Sequence, residues 1–297
     1  MTFTEEDLFI LSKVAKEAAI AAGEYIQSQL NSHLDKKHKI GIDSLASQIV
    51  TQVDLKSQEI ILDHLQESIT KYDLGLLTEE APDDESRTIK SYFWCVDPMD
   101  GTLPFIEGKS GYAVSIALIE KGGNPLIGVV YIPDIQECYS SVKGKGVRLN
   151  NELFQYTEVN ANDIIHIYMD RSLCVESYFE RVKSELNQWM IQKKLGQIEY
   201  HVGFGAVRNA LGVMNSGMGC YFKFPKKQNG GGSIWDYAAT RLFFEELGLF
   251  VSNVSGNPID LNNPNTTFMN EMGVVYANDE GLSEFVVEMG VKVAEST

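Results

Sequence analysis

Two carboxylates three residues apart, on either side of a proline, set the strongest constraint on this chain. They lie in Trp94-Cys95-Val96-Asp97-Pro98-Met99-Asp100-Gly101-Thr102. Phe93–Val96 is apolar and reads as a buried strand. Pro98 has no N–H to give to a sheet ladder, which predicts a strand end near Asp97. Both acids then fall where the chain changes direction and can point into one cleft. Two carboxylates that close repel each other and raise a pKa unless a cation joins them. Hard oxygen ligands of this kind suit Mg²⁺, which is held by a few carboxylates together with phosphate and water. Asp-Pro and Asp-Gly are also turn dipeptides, and standing alone they would only shape a turn. Their companions elsewhere in the chain decide between the two readings.

A chain of 297 residues with 44% hydrophobic content can build one large domain of two lobes. The composition change near Asn150–Asn162 places the lobe boundary there, dividing the chain at about residues 1–155 and 156–297. Lys and Arg number 25 against 41 Asp and Glu, a net charge of −16. Such a chain repels nucleic-acid backbone and anionic membrane, so neither is expected as a partner. No apolar run approaches the ~18–20 residues of a membrane span. Met1–Leu11 lacks the basic-then-apolar order of a secretion signal. Cys95, Cys138, Cys174 and Cys220 are far apart and show no C-x-x-C spacing. Reduced thiols and a cytoplasmic location are the expectation.

Thr4-Glu5-Glu6-Asp7 carries the signs of a helix start, with Leu8, Leu11, Ala15, Ala18, Ala22 and Ile26 following at helical spacing. Asn31–Lys39 is polar and basic and reads as a loop. A second helix is predicted over about Thr51–Ser68, with Asp54 near its start, where an acid also suits the helix dipole. Leu74–Leu77 reads as a short strand running into Glu79-Glu80, and Ala81–Lys90 as an exposed polar segment. Ala113–Glu120, Pro125–Ile132 and Glu137–Lys143 are strand-like and separated by turn residues, which predicts an antiparallel meander. Beyond the boundary come a strand near Ile164–Met169, a helix near Ser177–Lys194, a strand near Glu199–Val202 and a turn at Gly203-Phe204-Gly205-Ala206. This order implies α/β layering.

Ser233-Ile234-Trp235-Asp236-Tyr237-Ala238-Ala239 opens a helix ending at Gly248. Ser233 and Asp236 have capping-box spacing, so Asp236 either caps its own helix or aims at a metal. Glu79-Glu80 puts a further acid pair at a strand end. No G-x-S-x-G element, phosphate-binding P-loop or Cys-x₅-Arg run is present, so nothing points to a covalent nucleophile.

Trp94–Phe105 resembles the W-x-x-D-P-x-D-G-T-x-x-F signature of the inositol monophosphatase superfamily. Glu79-Glu80 resembles the upstream acidic pair of that family, Trp235-Asp236-Tyr237-Ala238-Ala239 its W-D-x-A-A element, and Thr51-Gln52-Val53-Asp54 its T-x-x-D element. All stand in the family's order. The resemblance implies an α+β fold, a layered αβαβα sandwich, with the site between two lobes. It implies a phosphomonoesterase working with two or three Mg²⁺ ions on a small phosphorylated metabolite, inhibited by Li⁺ and often a homodimer. Glu79, Asp97, Asp100, Asp236 and the Met99 carbonyl are the implied metal ligands. Glu79 and Thr102, supported by Asp54, are the implied activators of the attacking water. Asp100, Gly101, Thr102, Gly205, Asn229 and Asp236 are the implied substrate contacts, with the Gly101 and Thr102 N–H groups facing phosphate.

Two departures from the family's pattern stand out, and only the second bears on the substrate. Thr78 stands where many relatives have glycine, and Asn229 occupies the position of an acid that contacts inositol hydroxyls. Tyr221-Phe222-Lys223-Phe224-Pro225 looks more like the 3′(2′),5′-bisphosphate nucleotidase branch. Lys223, Lys226 and Lys227 either hold a second phosphate or form a solvated basic loop. Inositol monophosphate is the default substrate, the bisphosphate nucleotide is the alternative, and a non-catalytic sensor on the same scaffold is a third reading.

Overall fold

The computed structural model describes residues 2–30, 36–38, 49–156, 164–230 and 232–294. Helix α1 (Glu5–Ser28) opens on Thr4. The Thr4 hydroxyl accepts the Asp7 N–H at 3.1 Å, and the Asp7 carboxylate accepts the Thr4 N–H at 3.0 Å. This reciprocal cap satisfies two donors that a helix start would otherwise leave open. Leu11, Ala15, Ala18, Ala22 and Ile26 form its buried stripe. Helix α2 (Gln52–Tyr72) packs beside it through Val53, Ile61 and Leu65.

Both helices cover one face of a seven-stranded sheet. Its strands are β3 (Gly75–Thr78), β4 (Tyr92–Asp100), β5 (Ala113–Glu120), β6 (Pro125–Ile132), β7 (Glu137–Val142), β8 (Val147–Leu149) and β9 (Glu152–Leu153), adjacent in that order. From β4 to β9 the pairing is the antiparallel meander that the turn spacing predicts, while β3 joins β4 in parallel. The other face carries α6 (Ala206–Asn215) and α7 (Ile234–Leu247). These helices also support the inner face of a five-stranded sheet ordered β11-β10-β12-β14-β13. Its strands are β10 (Ile164–Met169), β11 (Gln197–Val202), β12 (Met218–Lys223), β13 (Phe250–Ser252) and β14 (Val274–Ala277). Helices α5 (Phe179–Gln192) and α8 (Glu280–Ala294) close its outer face through Val182, Leu186, Val286 and Met289. The layers therefore run αβαβα, as an α+β sandwich.

Three local expectations need correcting. Lys36–His38 is strand β1, paired antiparallel with β2 (Ile49–Thr51), not loop; Asn31–Asp35 and Lys39 lie outside the described residues. The segment Ala81–Lys90 contains the short helix α3 (Ser86–Ile89) and buries Arg87 to 2% exposure. The Arg87 guanidinium pairs with Asp83 at 2.6 Å and donates to Asn262 Oδ1 at 2.8 Å. A buried guanidinium is tolerated when such partners replace water. Finally, β4 does not stop at Asp97 but runs to Asp100. Of the boundary segment Asn150–Asn162, residues 157–162 lie outside the described residues.

Candidate active site

The site begins with the irregularity in β4. Between the Asp97–Ser115 and Asp100–Ala113 pairs, β4 advances three residues while β5 advances two. One extra residue bulges out. In a regular strand residues three apart point to opposite faces. The bulge cancels that alternation and turns both acids to the same side. Pro98 sits inside it, where a missing ladder N–H costs nothing. As a result Asp97, Asp100 and Asp236 offer carboxylate oxygens that all lie within 4.8 Å of one another.

Each acid is held by a different element. Asp97 is fully buried; its Oδ1 accepts the Met99 N–H at 3.0 Å, and among the described residues its buried Oδ2 has no hydrogen-bond partner. Asp100 accepts the Ala206 N–H at 3.0 Å and the Val207 N–H at 2.9 Å. It thus caps the first turn of α6, where free N–H groups and the helix dipole favour an anion. Gly205 makes that contact possible, because a Cβ there would lie 2.2 Å from Asp100 Oδ2. Gly205 N–H in turn donates to the Gly111 carbonyl at 2.8 Å.

Asp236 is both a helix cap and a member of the acidic cluster. It accepts the Ser233 N–H at 2.5 Å as a helix cap, and it joins the acidic cluster. Ser115, the cross-strand partner of Asp97, lies with its hydroxyl 3.3 Å from the Trp235 carbonyl. That contact seats the first turn of α7 over β4 and β5.

Thr102 opens the short helix α4 (Thr102–Ile106). Its hydroxyl lies 3.0 Å from Asp54 Oδ1 and 3.3 Å from the Met99 carbonyl. Asp54, in the first turn of α2, is 1% exposed. Gly101 has φ 86°, and a Cβ there would lie 2.5 Å from the Gly111 carbonyl oxygen, so glycine is needed on both counts. Half-buried Glu79 follows β3, with its N–H on the Val96 carbonyl at 3.2 Å. Gln58 Oε1 accepts from both the Thr78 hydroxyl and the Glu80 N–H, bracketing Glu79. Thr78 therefore anchors this turn. Asn229 lies on an exposed bend.

The electrostatics follow from this crowding. Burial, then the like charges of Glu79, Asp100 and Asp236, push the Asp97 carboxyl well above the usual range. Burial and Asp236 do the same to Asp100, against the opposing pull of the Val207 and Ala206 N–H groups and Lys223. Asp236 is pushed up to about 7, chiefly by burial, with Lys223 opposing. Several carboxyls raised together, an orphan buried oxygen and a carbonyl in the same turn form a hard, all-oxygen donor set. That set fits Mg²⁺, which would replace the missing partner and reverse the repulsion.

Sequence reasoning did not single out Asp170 and left Lys223 open between phosphate contact and solvated loop. The structure half-buries Lys223, with Nζ 2.6 Å from Asp170 Oδ2 and 5.5 Å from the Tyr237 ring centroid. Burial would lower its pKa, but Asp170, Tyr237 and Asp236 hold it above the ordinary lysine value. Asp170 also accepts from Asn209 Nδ2 at 3.1 Å and the Tyr221 hydroxyl at 3.3 Å. A small cavity beside the pair is lined by Ser172, Lys226 and Asn270. The one sequence signal for Asp170 was its place after an apolar strand, the same position that Glu79 occupies.

The Inositol monophosphatase family profile matches residues 8–289. Inositol monophosphatase 3 of Solanum lycopersicum is 30% identical over 255 residues, covering 84% of this chain and 87% of that one. The 3′(2′),5′-bisphosphate nucleotidase CysQ of Escherichia coli is 30% identical over 222 residues, covering 74% and 82%. An IMPase/NADP phosphatase solved with Mg²⁺ and phosphate has the same fold, with a TM-score of 0.66 at 20% identity over 90% of this chain and 89% of that one. With its motifs in order, its layers matched and its acids gathered, the chain belongs to the inositol monophosphatase family, whose members are metal-dependent hydrolases of phosphoric monoesters.

Proposed function

We propose that this chain hydrolyses inositol monophosphate, with Mg²⁺ held by Glu79, Asp97, the Met99 carbonyl, Asp100 and Asp236. The observation that carries the reading is the convergence of the Asp97, Asp100 and Asp236 carboxylates, with Asp97 Oδ2 buried and without a hydrogen-bond partner among the described residues. When bound, two or three Mg²⁺ ions supply neutralisation of the phosphoryl oxygens and a water of lowered pKa. The residues do the rest. Asp54 takes the Thr102 hydroxyl hydrogen, which leaves a lone pair on Thr102 Oγ1 to orient the attacking water. Glu79, half-buried beside Asp97, is the general base that receives the water's proton on its carboxylate. The Gly101 and Thr102 N–H groups face the phosphate, and Gly205, Asn229, Asp100 and Asp236 contact the alcohol portion. Li⁺ is expected to inhibit, a homodimer is the proposed assembly, and the cytoplasm the proposed compartment. Among the described residues no helix is long and apolar enough to cross a membrane.

One observation favours a second substrate, a 3′(2′),5′-bisphosphate nucleotide. Lys223, half-buried and paired with Asp170, acts as a cation on Asp236, with Lys226 lining the adjoining cavity. A cation there suits a leaving group with its own negative charge better than an uncharged polyol. Phosphate release should be measured with Mg²⁺ and with chelator. The panel is inositol 1-phosphate, adenosine 3′,5′-bisphosphate, fructose 1,6-bisphosphate and histidinol phosphate. Mg²⁺-dependent release from inositol 1-phosphate supports the first substrate; release from the bisphosphate alone transfers the assignment to the second. No release from any, in folded protein that binds Mg²⁺, favours the sensor reading.

A further inference from the structure

Strands β10 and β11 are parallel neighbours, with β11 at the sheet edge. Their register sets His166 opposite Glu199 and Tyr168 opposite His201. His166, Glu199 and His201 therefore share one face of the sheet, since residues two apart on a strand point the same way. His166 Nδ1 lies 3.0 Å from His201 Nε2 and 3.6 Å from Glu199 Oε2. A tetrahedral ion with bonds of about 2.0 Å has ligand atoms about 3.3 Å apart, and the two separations bracket that value. All three donor atoms lie within 4.8 Å of one another.

We propose that His166, Glu199 and His201 form a second metal site, for a divalent ion of the zinc class and separate from the carboxylate cluster. Two imidazole nitrogens and one carboxylate suit Zn²⁺, Co²⁺ or Ni²⁺, whereas Mg²⁺ takes oxygen ligands. The donors are oriented from outside. Gln197 Nε2 lies 3.3 Å from Glu199 Oε1, leaving Oε2 turned to His166. The His201 ring stacks on Tyr168 at 4.5 Å and 15°, which sets its plane. Such outer contacts tune metal ligands. Burial and His166 lower the His201 pKa, favouring the neutral ring that a metal needs. The His166 side chain is 23% exposed and that of Glu199 46%, so an ion can enter from solvent. A bound ion would tie edge strand β11 to β10, upstream of the Gly203-Phe204-Gly205 turn that leads to the Asp100 cradle. Without an ion, the same contacts amount to a hydrogen bond between two imidazoles.

The test is Zn²⁺ titration calorimetry on the whole chain under saturating Mg²⁺, with imidazole ¹H–¹⁵N spectra recorded alongside. One binding event is expected, with two histidine rings shifting. His201→Gln and His166→Gln should each weaken it by at least about tenfold, the loss that even an outer-contact change can cause. Asp97→Asn should leave it in place. Absence of Zn²⁺ binding to the folded wild type would overturn the proposal. So would equal binding by wild type and the folded His166→Gln/His201→Gln double variant, or binding that moves no histidine signal.

Discussion

Asp97→Asn tests the reading of the acidic cluster most directly, because it predicts opposite effects on stability and on activity. Asparagine keeps Oδ1 for the Met99 N–H. It also puts an N–H₂ where the unpartnered Oδ2 now lies among carboxylates. Two unit charges within 4.8 Å repel by about 3.5 kcal/mol at an effective dielectric of 20. Protonating Asp97 instead costs about 1.4 kcal/mol per pH unit above its unfolded pKa, so the metal-free wild type is penalised at pH 8 either way. Urea unfolding with chelator should find the variant more stable by about 3 kcal/mol. Adding Mg²⁺ should stabilise the wild type and leave the variant nearly unchanged. Turnover should fall by about three orders of magnitude, since a preorganised electrostatic element is lost. A variant less stable than wild type in chelator, or one that keeps Mg²⁺-dependent turnover, would refute the reasoning.

The same physics gives the metal-free protein an unusual pH dependence. Asp236 is pushed from 3.8 to about 7, so the folded state holds its proton where the unfolded state has lost it. Asp236 alone should lower stability in chelator by roughly 4 kcal/mol as pH rises from about 4 to 7, and the raised Asp97 and Asp100 carboxyls should add to the fall; Mg²⁺ should flatten the curve, and melts across that range check both. Thr102→Val removes the hydroxyl from Asp54 and should lower kcat about 100-fold with KM little changed. It should also cost about 1.5–3 kcal/mol for the buried hydrogen bond that the Asp54 carboxylate loses, read by steady-state kinetics and denaturation. Gly205→Ala keeps an ordinary φ of −65° but drives a methyl into Asp100. Its fold should survive while Mg²⁺ affinity drops at least about tenfold by calorimetry.

Much of the fold was legible along the chain because its causes are local. Alternation and turn residues bounded Ala113–Glu120, Pro125–Ile132 and Ile164–Met169 as the structure has them. The reciprocal caps at Thr4 and Ser233 and the left-handed Gly248 needed no distant partner. The acidic elements were also visible, since a carboxylate at the end of an apolar strand already departs from what a core needs. What pairing decides was not visible. A proline that should end a strand instead sits in a bulge, because β5 continues alongside.

The sequence by itself set the candidate site residues, Glu79, Asp97, Asp100, Thr102 and Asp236, at the ends or interruptions of regular elements through their own neighbours. Only the tertiary structure decided how they meet. The bulge turns Asp97 and Asp100 to one side, the first turn of α6 supplies N–H groups to Asp100, and Lys223 is paired with Asp170. Parallel register likewise brings His166 to Glu199 and His201, more than thirty positions away. The physical reason is the range of the forces. Caps, turns and periodicity act over a few residues, whereas repulsion among buried charges and the pairing of distant donors exist only once the layers have packed.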